Sequence, residues 1–332
     1  MGSNVLVAGG AGYIGSHTVK ALQAAGHNPV IYDNASRGHR AVADILGCPA
    51  VFAELDDTPA LTTALREHAI DTVMHFAALA YVGESVHEPL WYYHNNVATT
   101  INVLEAMREV GVNRFVFSST CAVYGDPDSV PITEDEKKAP VSPYGRSKWQ
   151  VEQILADLAA SDDKFKYAAL RYFNASGCDP DGKIGEDHQP ETHLIPILLE
   201  VALGERDKII IFGDDYPTPD GTNVRDYIHV NDLADAHIKA MEKLDAASPI
   251  LCNLGTGRGF SVKEIIEQAR AVTGKDIPVE VGPRRAGDAI ALYADPAKAK
   301  NVLGWEAAYK DPKSIIETAW RWFEQNPNGY KK

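Results

Sequence analysis

The sequence predicts an α/β protein whose larger, N-terminal part is a doubly wound parallel sheet, followed by a smaller α/β domain. Three observations support this prediction. Short apolar runs alternate with helical patterns up to about residue 175, a glycine-rich turn joins the first run to the first helix, and Gly- and Asp-rich segments begin near residue 174. We therefore expect one domain at residues 1–175 and a second at residues 176–332, with residues 225–250 returning to the first.

Each element of this alternation has its own local signal. Asn4–Ala8 is a short apolar run typical of a buried strand, and the following helix spaces its apolar residues three, four and seven positions apart until Gly26 ends it. Ser261 and Glu264 form a capping box that begins another helix. The other predicted strands span residues 29–33, 50–54, 72–76, 114–118 and 166–171, and the other predicted helices span residues 58–68, 90–110 and 143–160 and begin again at 312.

The turn after the first strand has the pattern Gly-x-x-Gly-x-x-Gly over residues 9–15. A helix N-terminus binds a pyrophosphate through main-chain N–H groups, and side chains at the turn would obstruct that approach. Asp33 ends the second strand, where a carboxylate can accept hydrogen bonds from adenosine ribose hydroxyls and repel a 2'-phosphate. The pattern predicts NAD in preference to NADP. Arg37 and Arg40 weaken this preference, because a basic residue there can hold the phosphate.

Tyr144 and Lys148 lie four residues apart on a predicted helix, so their side chains share one face. An ammonium group about 4 Å from the phenolic oxygen would stabilise the phenolate by roughly 4 kcal/mol and lower the tyrosine pKa from about 10 to about 7. A phenol with that pKa is a useful general base. The Thr120 hydroxyl, just beyond the fifth strand, should reach the same crevice at the carboxyl ends of the strands.

The bulk composition limits the other partners. A formal net charge of −14 and a sequence pI near 5.2 argue against nonspecific binding to nucleic acid or to anionic membranes. The four cysteines are scattered and form no ligand cluster, so we expect reduced thiols and no metal site. No signal-peptide pattern and no apolar run of about 18 residues is found, which predicts a cytoplasmic protein.

Taken together, these motifs resemble the extended short-chain dehydrogenase/reductase superfamily and, within it, the UDP-glucose (UDP-galactose) 4-epimerase family. The glycine turn, Ser118-Ser119-Thr120 and Tyr144-x-x-x-Lys148 follow one another on one predicted sheet, as in that superfamily. The resemblance to the narrower family covers essentially the whole chain. It rests on the motifs at residues 9–17, 75–78, 82–85, 124–125, 170–174, 224–230 and 284–288.

The resemblance implies a Rossmann-type NAD-binding domain, a UDP-sugar-binding domain and a homodimer. The cofactor contacts that it implies fall on Gly9, Gly12, Tyr13, Ile14, Gly15, Asp33, Asn34, Asp56, Phe76, Ala77, Asn95, Ser118, Tyr144, Lys148 and Tyr172. The UDP-sugar contacts fall on Asn174, Leu194, Phe212, Arg225, Arg285, Asp288 and Leu292. The two arginines suit a diphosphate, because a guanidinium offers a bidentate fork.

The activity implied by the resemblance is 4-epimerisation of UDP-glucose and UDP-galactose with NAD that stays bound. Tyr144, as phenolate, would take the sugar 4-hydroxyl proton while C4 delivers a hydride to NAD. Lys148 would hold the phenolate, and Thr120 would hydrogen-bond the 4-oxygen. The 4-keto sugar would turn over, pivoting at its diphosphate, and receive the hydride on its other face. No metal is required.

Three other functions could be built on the same motifs. A UDP-pentose 4-epimerase acting on UDP-arabinose and UDP-xylose would use the same chemistry, and residues 80–85 and 118–122 look like those of plant enzymes of that kind. A 4,6-dehydratase or decarboxylase is disfavoured, because Cys121 and Ala122 stand where such relatives have acidic residues. A noncatalytic NAD-binding protein would have no need of the tyrosine base.

Leu292 bears on the choice of sugar. Family members confined to unsubstituted hexoses tend to have Tyr four residues after the position of Asp288, and those that accept N-acetylhexosamines have a smaller residue. Leucine implies a pocket wall that is partly open and apolar, with good turnover of UDP-galactose and slower turnover of UDP-N-acetylgalactosamine. The competing interpretation is that Leu292 is a core residue.

Overall fold

The computed structural model describes residues 2–285 and 288–330, and a parallel sheet of seven strands lies at its centre. Numbered in chain order, the strands lie side by side as β11 (Ile250–Leu254), β6 (Lys166–Tyr172), β5 (Arg114–Thr120), β4 (Thr72–His75), β1 (Asn4–Ala8), β2 (Asn28–Asp33) and β3 (Ala50–Phe52). Every neighbouring pair is parallel. From β1 the chain first adds β2 and β3 on one side, and then adds β4, β5, β6 and β11 on the other side. The sheet is therefore doubly wound. The predicted fold class is confirmed.

Helices cover both faces of the sheet, because successive side chains of a strand point to opposite sides. On β1, Val5 and Val7 belong to one core cluster, and Leu6 and Ala8 belong to another. The first cluster includes residues of α1 (Tyr13–Ala24), α2 (Ala41–Leu46), α9 (Val230–Ala247) and α11 (Ala297–Leu303). The second includes residues of α3 (Thr58–Glu67), α6 (Thr99–Val110) and α7 (Pro143–Ser161).

The helical stretch predicted at residues 90–110 is present, but the prediction did not include the π turn that lies inside it. The structure has α5 (Pro89–Tyr93), a π-helical turn (His94–Ala98) and then α6. The Thr99 hydroxyl bonds back to the main-chain oxygen of Asn95, and such side-chain bonds compete with regular helical geometry. A π turn inside a helix is frequent at functional sites. A further short helix, α4 (Val82–His87), precedes α5.

The chain beyond β6 builds three small sheets and a separate core. β7 (Asn174–Ser176) pairs with β10 (Tyr227–His229), β8 (Ile209–Phe212) pairs with β13 (Val279–Gly282), and β9 (Val224–Arg225) lies between β12 (Phe260–Ser261) and β14 (Ala291–Leu292). Three helices share the separate core, namely α8 (Leu194–Leu203), α10 (Val262–Thr273) and α12 (Pro312–Gln325). The predicted capping box at the start of α10 is confirmed.

The segment from α9 to β11 returns to the large sheet. α9 packs against α1, and β11 pairs in parallel with β6. A return of residues 225–250 was predicted, but the strand β11 was not. The division into two domains near residue 175 stays a prediction. Within residues 2–285 and 288–330, no helix combines the length and apolarity needed to cross a membrane.

Candidate active site

The glycine turn brings the main chain before α1 close to the carboxyl end of β4. Gly9 has a φ of +81°, and a Cβ on it would lie 2.5 Å from the main-chain nitrogen of Ala77. A Cβ on Gly15 would lie 2.1 Å from the main-chain oxygen of Gly9. Gly12 is the N-cap of α1 and gives it no side-chain cap. The amino end of the helix is therefore bare main chain, as a pyrophosphate site requires.

Asp33 lies at the carboxyl end of β2 and is 8% exposed. Burial raises the pKa of its carboxyl group, and hydrogen bonds from the main-chain N–H groups of Ala35 and Ala11 act against that rise. These bonds are 2.7 and 2.9 Å long. A carboxylate has about four acceptor sites, so capacity remains for ribose hydroxyls.

Arg37 and Arg40 differ in their partners. Arg37 forms an ion pair of 2.8 Å with Glu84 on α4, whereas Arg40 lies 4.3 Å over the ring of Phe52. The charge of Arg40 acts on the Asp33 carboxyl. Of the two arginines that weaken the predicted NAD preference, Arg40 is thus the one whose charge remains near the Asp33 carboxylate.

The other residues expected to contact the adenosine and pyrophosphate are distributed around the same edge. Tyr13 and Ile14 begin α1, and the Tyr13 hydroxyl donates to the main-chain oxygen of Gly177 at 2.5 Å. Asn34 directly follows β2 and donates to the Glu54 carboxylate at 2.8 Å. Asp56 is exposed, in the turn between β3 and α3.

Phe76 and Asn95 lie farther along this edge. Phe76 and Ala77 directly follow β4, and both main-chain N–H groups donate to the oxygen of Ala8, at 2.8 and 3.0 Å. Asn95 is in the π turn, and its amide donates to the side-chain oxygen of Asn96 at 3.0 Å. The irregular turn was not predicted, although Asn95 was.

Tyr144 lies in the first turn of α7, which Ser142 caps by accepting a 3.1 Å hydrogen bond from the N–H of Gly145. Burial raises the pKa of Tyr144 to about 12, and a hydrogen bond with the Thr120 hydroxyl acts in the opposite direction. Thr120 ends β5, and its oxygen also accepts from the N–H of Ala122 at 3.1 Å. The structure therefore brings Thr120 and Tyr144 together, as the sequence predicts.

The expected lowering of the Tyr144 pKa to about 7 is wrong in this structure. Lys148 is 3% exposed, and its Nζ donates to the main-chain oxygen of Ser118 at 2.8 Å. Burial lowers the pKa of Lys148 to about 7. The expectation assumed an exposed, fully charged ammonium group beside the phenol. Burial instead disfavours the charged form of both groups.

Ser118 and Tyr172 also lie at the crevice, near the carboxyl ends of two neighbouring strands. The Ser118 hydroxyl and the Tyr172 phenol lie 2.5 Å apart, at the ends of β5 and β6. Burial, and after it the charge of Tyr144, raises the pKa of Tyr172. The electrostatic effect of Tyr144 on Tyr172 indicates that the two phenols are close neighbours. Both predicted cofactor residues therefore lie beside Tyr144.

A buried ionic network that the sequence analysis missed holds α7 against the sheet. Glu152, one helical turn beyond Lys148, forms an ion pair of 2.5 Å with Arg171 of β6. It also accepts a 2.5 Å hydrogen bond from Ser119 of β5. Arg171 donates to the Tyr124 phenol at 2.9 Å. One signal was present, since Glu152 follows Lys148 by four positions on the same helix face.

Arg225 and Leu292 are neighbours on the substrate side. β14 pairs with β9 so that Leu292 lies opposite Arg225. Burial raises the pKa of the Cys121 thiol to about 12, and the charge of Arg225 opposes this rise, so the guanidinium is close to the residue after Thr120. Leu292 packs with Cys121 and Phe173 in a small apolar cluster. It therefore contacts core residues that border the crevice.

The remaining predicted substrate residues lie on several segments. The Arg285 guanidinium stacks 3.7 Å over the ring of Phe212, which ends β8. Asn174 begins β7, and Leu194 begins α8. The N–H of Asp288 donates to the oxygen of Arg285 at 3.4 Å. Ala286 and Gly287, which belong to the sequence motif at residues 284–288, lie outside the described residues.

Two glutamates and two histidines between β7 and α8 form a compact group that the sequence analysis did not single out. This Glu/His cluster consists of Glu186, His188, Glu191 and His193. Burial alone would lower the pKa of both imidazoles, but the two carboxylates outweigh it and raise the pKa to about 9 for His188 and about 10 for His193. The signal in the sequence is a repeated Glu-x-His, five residues apart.

The cluster lies between the dinucleotide turn and the C-terminal residues. The Tyr13 ring meets His188 edge-on, with 5.9 Å between the ring centroids. The Tyr330 phenol accepts from the N–H of Gly185 at 2.9 Å, and its ring stacks on His39 at 4.6 Å. The segment with the cluster is thus enclosed by residues from both ends of the chain.

Three features lie at one edge of the doubly wound sheet: the bare helix N-terminus, the acid that ends β2, and the Tyr144 and Lys148 side chains. Together they define a class of protein, namely an enzyme that uses a bound dinucleotide. Comparison with known proteins gives the family. The family model described as "NAD dependent epimerase/dehydratase family" matches residues 5–255. The UDP-glucose 4-epimerase of Lacticaseibacillus casei is 51% identical over 331 residues, which is 98% of each chain.

Two solved structures extend this similarity to the whole fold. UDP-glucose 4-epimerase from Bifidobacterium longum, in complex with NAD+ and UDP, has a TM-score of 0.94 and 39% identity and covers 99% of this chain and 100% of its own. The Stenotrophomonas maltophila enzyme, with bound NAD and formylated UDP-arabinopyranose, has a TM-score of 0.95 and 43% identity and covers 98% and 99%. The chain belongs to the NAD dependent epimerase/dehydratase family, and NAD is its cofactor.

Proposed function

We propose that this protein interconverts UDP-glucose and UDP-galactose by transient oxidation at the sugar C4. The observation that carries the proposal is the closeness of the Thr120 hydroxyl to the Tyr144 phenol at the same sheet edge as the bare glycine turn. This arrangement sets an acid/base group beside a dinucleotide site. The names of the relatives described above support UDP-glucose as the substrate.

The residues of the turn fit NAD. A Cβ on Gly9 or Gly15 would clash with main-chain atoms of Ala77 or of the turn itself, so only glycine allows the compact turn before the helix N-terminus where a pyrophosphate would bind. Asp33 would accept hydrogen bonds from the adenosine ribose. When bound, NAD takes a hydride from C4 and returns it to the other face, and its oxidised ring adds a positive charge to the crevice. Ser118, Lys148 and Tyr172 would lie at the nicotinamide end.

Tyr144 acts as the base for the sugar 4-hydroxyl, and Thr120 donates to the 4-oxygen. The Tyr144 pKa of about 12 in this structure is too high for efficient proton removal at neutral pH. A positive charge in the crevice favours the phenolate and lowers this pKa. We therefore expect Tyr144 to become an effective base only when the cofactor is oxidised, which couples proton removal to hydride transfer.

Arg225 and Arg285 bind the UDP diphosphate and keep the sugar attached while its 4-keto form turns over. Arg225 lies near Cys121, beside the catalytic threonine. Arg285 is held flat against Phe212, where it can offer a bidentate fork. Asn174, Leu194, Asp288 and Leu292 would line the remainder of the substrate pocket.

We also propose that the protein acts in the cytoplasm as a homodimer. Leu90 is 82% exposed, and Trp91, Val86 and Ile101 are also exposed, on the consecutive helices α4, α5 and α6. Exposed apolar residues grouped in this way mark an interaction surface. Light scattering combined with gel filtration tests the dimer, and Ile101→Glu should shift it to monomer. A wild-type monomer at micromolar concentration would refute this part.

The function is tested by NMR of the purified protein with separate UDP-sugars. We expect conversion of UDP-galactose to UDP-glucose without added cofactor. UDP-xylose and UDP-arabinose serve as the competing pair, because a UDP-pentose epimerase would prefer them. A higher kcat/KM for the pentose pair would show that UDP-pentoses are the substrates, and it would be consistent with the same mechanism of oxidation and reduction at C4. No turnover of any UDP-sugar by folded, NAD-loaded protein would refute the proposal.

A further inference from the structure

We propose that the Glu/His cluster is a structural zinc site formed by Glu186, His188, Glu191 and His193. These side chains offer carboxylate oxygens and imidazole nitrogens, which are donor types that Zn²⁺ takes in proteins. One ligand atom from each of the four lies within 4.8 Å of all the others. Four protein ligands leave no open position, which is typical of a structural site and not of a catalytic one.

The separations between histidine nitrogens and glutamate oxygens are close to the edge length of a tetrahedron around one ion. Nδ1 of His188 lies 3.2 Å from Oε1 of Glu186 and 3.7 Å from Oε2 of Glu191. Nδ1 of His193 lies 3.3 Å from Oε1 of Glu186 and 2.8 Å from Oε1 of Glu191. Ligands at about 2.0–2.1 Å from zinc have tetrahedral edges of about 3.4 Å. Glu191 meets the two histidines through different oxygens, so either choice of its donor atom leaves three of these separations, and they lie near that edge length.

Two of the donor atoms lack a hydrogen-bond partner. Oε1 of Glu186 and Nδ1 of His188 are buried and unpartnered, although they lie 3.2 Å apart, because their relative orientation does not suit a hydrogen bond. The Glu186 side chain is only 4% exposed. A buried carboxylate oxygen without a partner is costly. A cation between the two atoms would satisfy both at once.

The surrounding main chain orients the proposed ligands. Oε1 of Glu191 accepts hydrogen bonds from the N–H groups of Thr192 and His193, at 2.6 and 2.7 Å. These bonds fix the carboxylate, as outer contacts commonly do around metal ligands. His193 immediately precedes Leu194, the first residue of α8. A zinc ion here would therefore fix both the loop of residues 186–193 and the start of α8.

The experiment measures metal content in the full chain purified without a polyhistidine tag and without chelators, then equilibrated with Zn²⁺ and desalted. We expect about one zinc per chain. The double variant Glu186→Gln/His193→Gln should retain less than about a tenth of that amount. His87→Gln is the matched control, because His87 is exposed on α4 and outside the cluster, and it should keep the wild-type content. Equal zinc in the double variant and the wild type would overturn the proposal.

A second measurement uses the wild type alone and so does not depend on the folding of a variant. Zinc-free protein is titrated with Co²⁺, whose visible absorption distinguishes tetrahedral from octahedral coordination. We expect saturation near one equivalent, tetrahedral bands, and their loss on adding Zn²⁺ but not Mg²⁺. If the folded protein gives no bands, or only the octahedral bands of hydrated Co²⁺, the metal does not bind the four side chains. Protons on the two histidines, and not a metal ion, would then neutralise the carboxylates.

Discussion

Lys148 donates a 2.8 Å hydrogen bond to the main-chain oxygen of Ser118, which ties the buried amine to β5. Its pKa is about 7, whereas that of Tyr144 is about 12. In the protein before cofactor binds, the lysine and not the tyrosine is thus the group that titrates near neutral pH. A cationic cofactor changes this order, because it favours the phenolate and disfavours the ammonium.

Replacing Tyr144 by Phe should lower kcat by at least about a hundredfold, because the change removes the general base. Bound NAD and UDP affinity should be preserved, since the ring remains. Steady-state kinetics with UDP-galactose and calorimetric titration with UDP measure the two effects. Wild-type kcat in Tyr144→Phe would contradict the assigned role.

Lys148 should make the stability of the cofactor-free protein rise with pH above neutrality. Its pKa falls from the ordinary value of 10.5 to about 7 on folding, so the unfolded chain binds more protons between these values. The free energy of unfolding therefore rises with pH in this window, by up to about 1.4 kcal/mol per unit. Below about pH 7 the cost of burying the charge is present in full.

The measurement compares urea unfolding of the wild type and Lys148→Met at pH 7 and pH 9, both stripped of cofactor. Relative to the variant, the wild type should gain about 2 kcal/mol between the two pH values. Other titrating groups cancel in the difference. A difference that stays constant with pH would show that Lys148 keeps an ordinary pKa.

Gly15→Ala should lose bound NAD. A Cβ at this position would lie 2.1 Å from the main-chain oxygen of Gly9, so the turn would have to open. Gly83→Ala is a suitable control, because a Cβ there has nothing within 4 Å. We expect NAD to copurify with the wild type and the control and to be at least about tenfold depleted in Gly15→Ala. The nucleotide released on denaturation identifies the cofactor, and full NAD occupancy in folded Gly15→Ala would contradict the prediction.

Glu152→Gln should destabilise the protein by about 3–5 kcal/mol, because it leaves the buried Arg171 charge without its carboxylate. Glu109→Gln is the control, since Glu109 pairs with Arg66 where both side chains are more than half exposed. That change should cost less than about 1 kcal/mol. Denaturant unfolding gives both values. Equal effects of the two substitutions would show that the buried network does not fix α7.

Leu292→Tyr should selectively suppress turnover of UDP-N-acetylgalactosamine. Leu292 packs against the same apolar cluster as Cys121 and lies opposite Arg225, so a larger ring at this position should narrow the pocket near the sugar. An apolar wall discriminates by roughly 1–3 kcal/mol per misplaced group, or about 5- to 150-fold in kcat/KM. The ratio of kcat/KM for the N-acetylated and unsubstituted sugars measures the effect. Leu292→Met should keep the ratio, and an unchanged ratio in Leu292→Tyr would assign Leu292 to the core.

The parts of the site that sequence reasoning predicted depend on local chemistry. The glycines of residues 9–15 could be interpreted because main-chain segments approach one another closely within a single turn. Asp33 could be interpreted because it is the last residue of a predicted strand. The helical spacing of Tyr144 and Lys148 was equally readable. Their pKa values were not, because burial depends on how α7 packs against β5 and β6, which no local pattern encodes.

The parts that were missed depend on contacts or on competing local bonds. Glu152 and Arg171 meet only when α7 packs on the sheet. The π turn at His94–Ala98 interrupts a pattern that reads as one helix, because side-chain hydroxyls bond to the main chain there. β11 has five residues, and the chain reaches its place beside β6 only after α9 has crossed the face of the sheet. Its pairing is therefore a long-range contact that its own sequence does not indicate. The Glu/His cluster was not predicted, because its four donor groups converge only through the folded course of residues 186–193.

The packing of Tyr330 has a practical bearing on how the protein is produced. Its phenol bonds to Gly185, and its main-chain N–H donates to Asp187 at 3.0 Å, so Tyr330 lies against the loop that contains the Glu/His cluster. A polyhistidine tag placed close to Tyr330 would bring competing imidazoles beside that cluster. Asn4, in contrast, begins β1 at the end of the strand opposite the crevice. An affinity tag on the Asn4 side is therefore the better choice for metal analysis and for crystallisation.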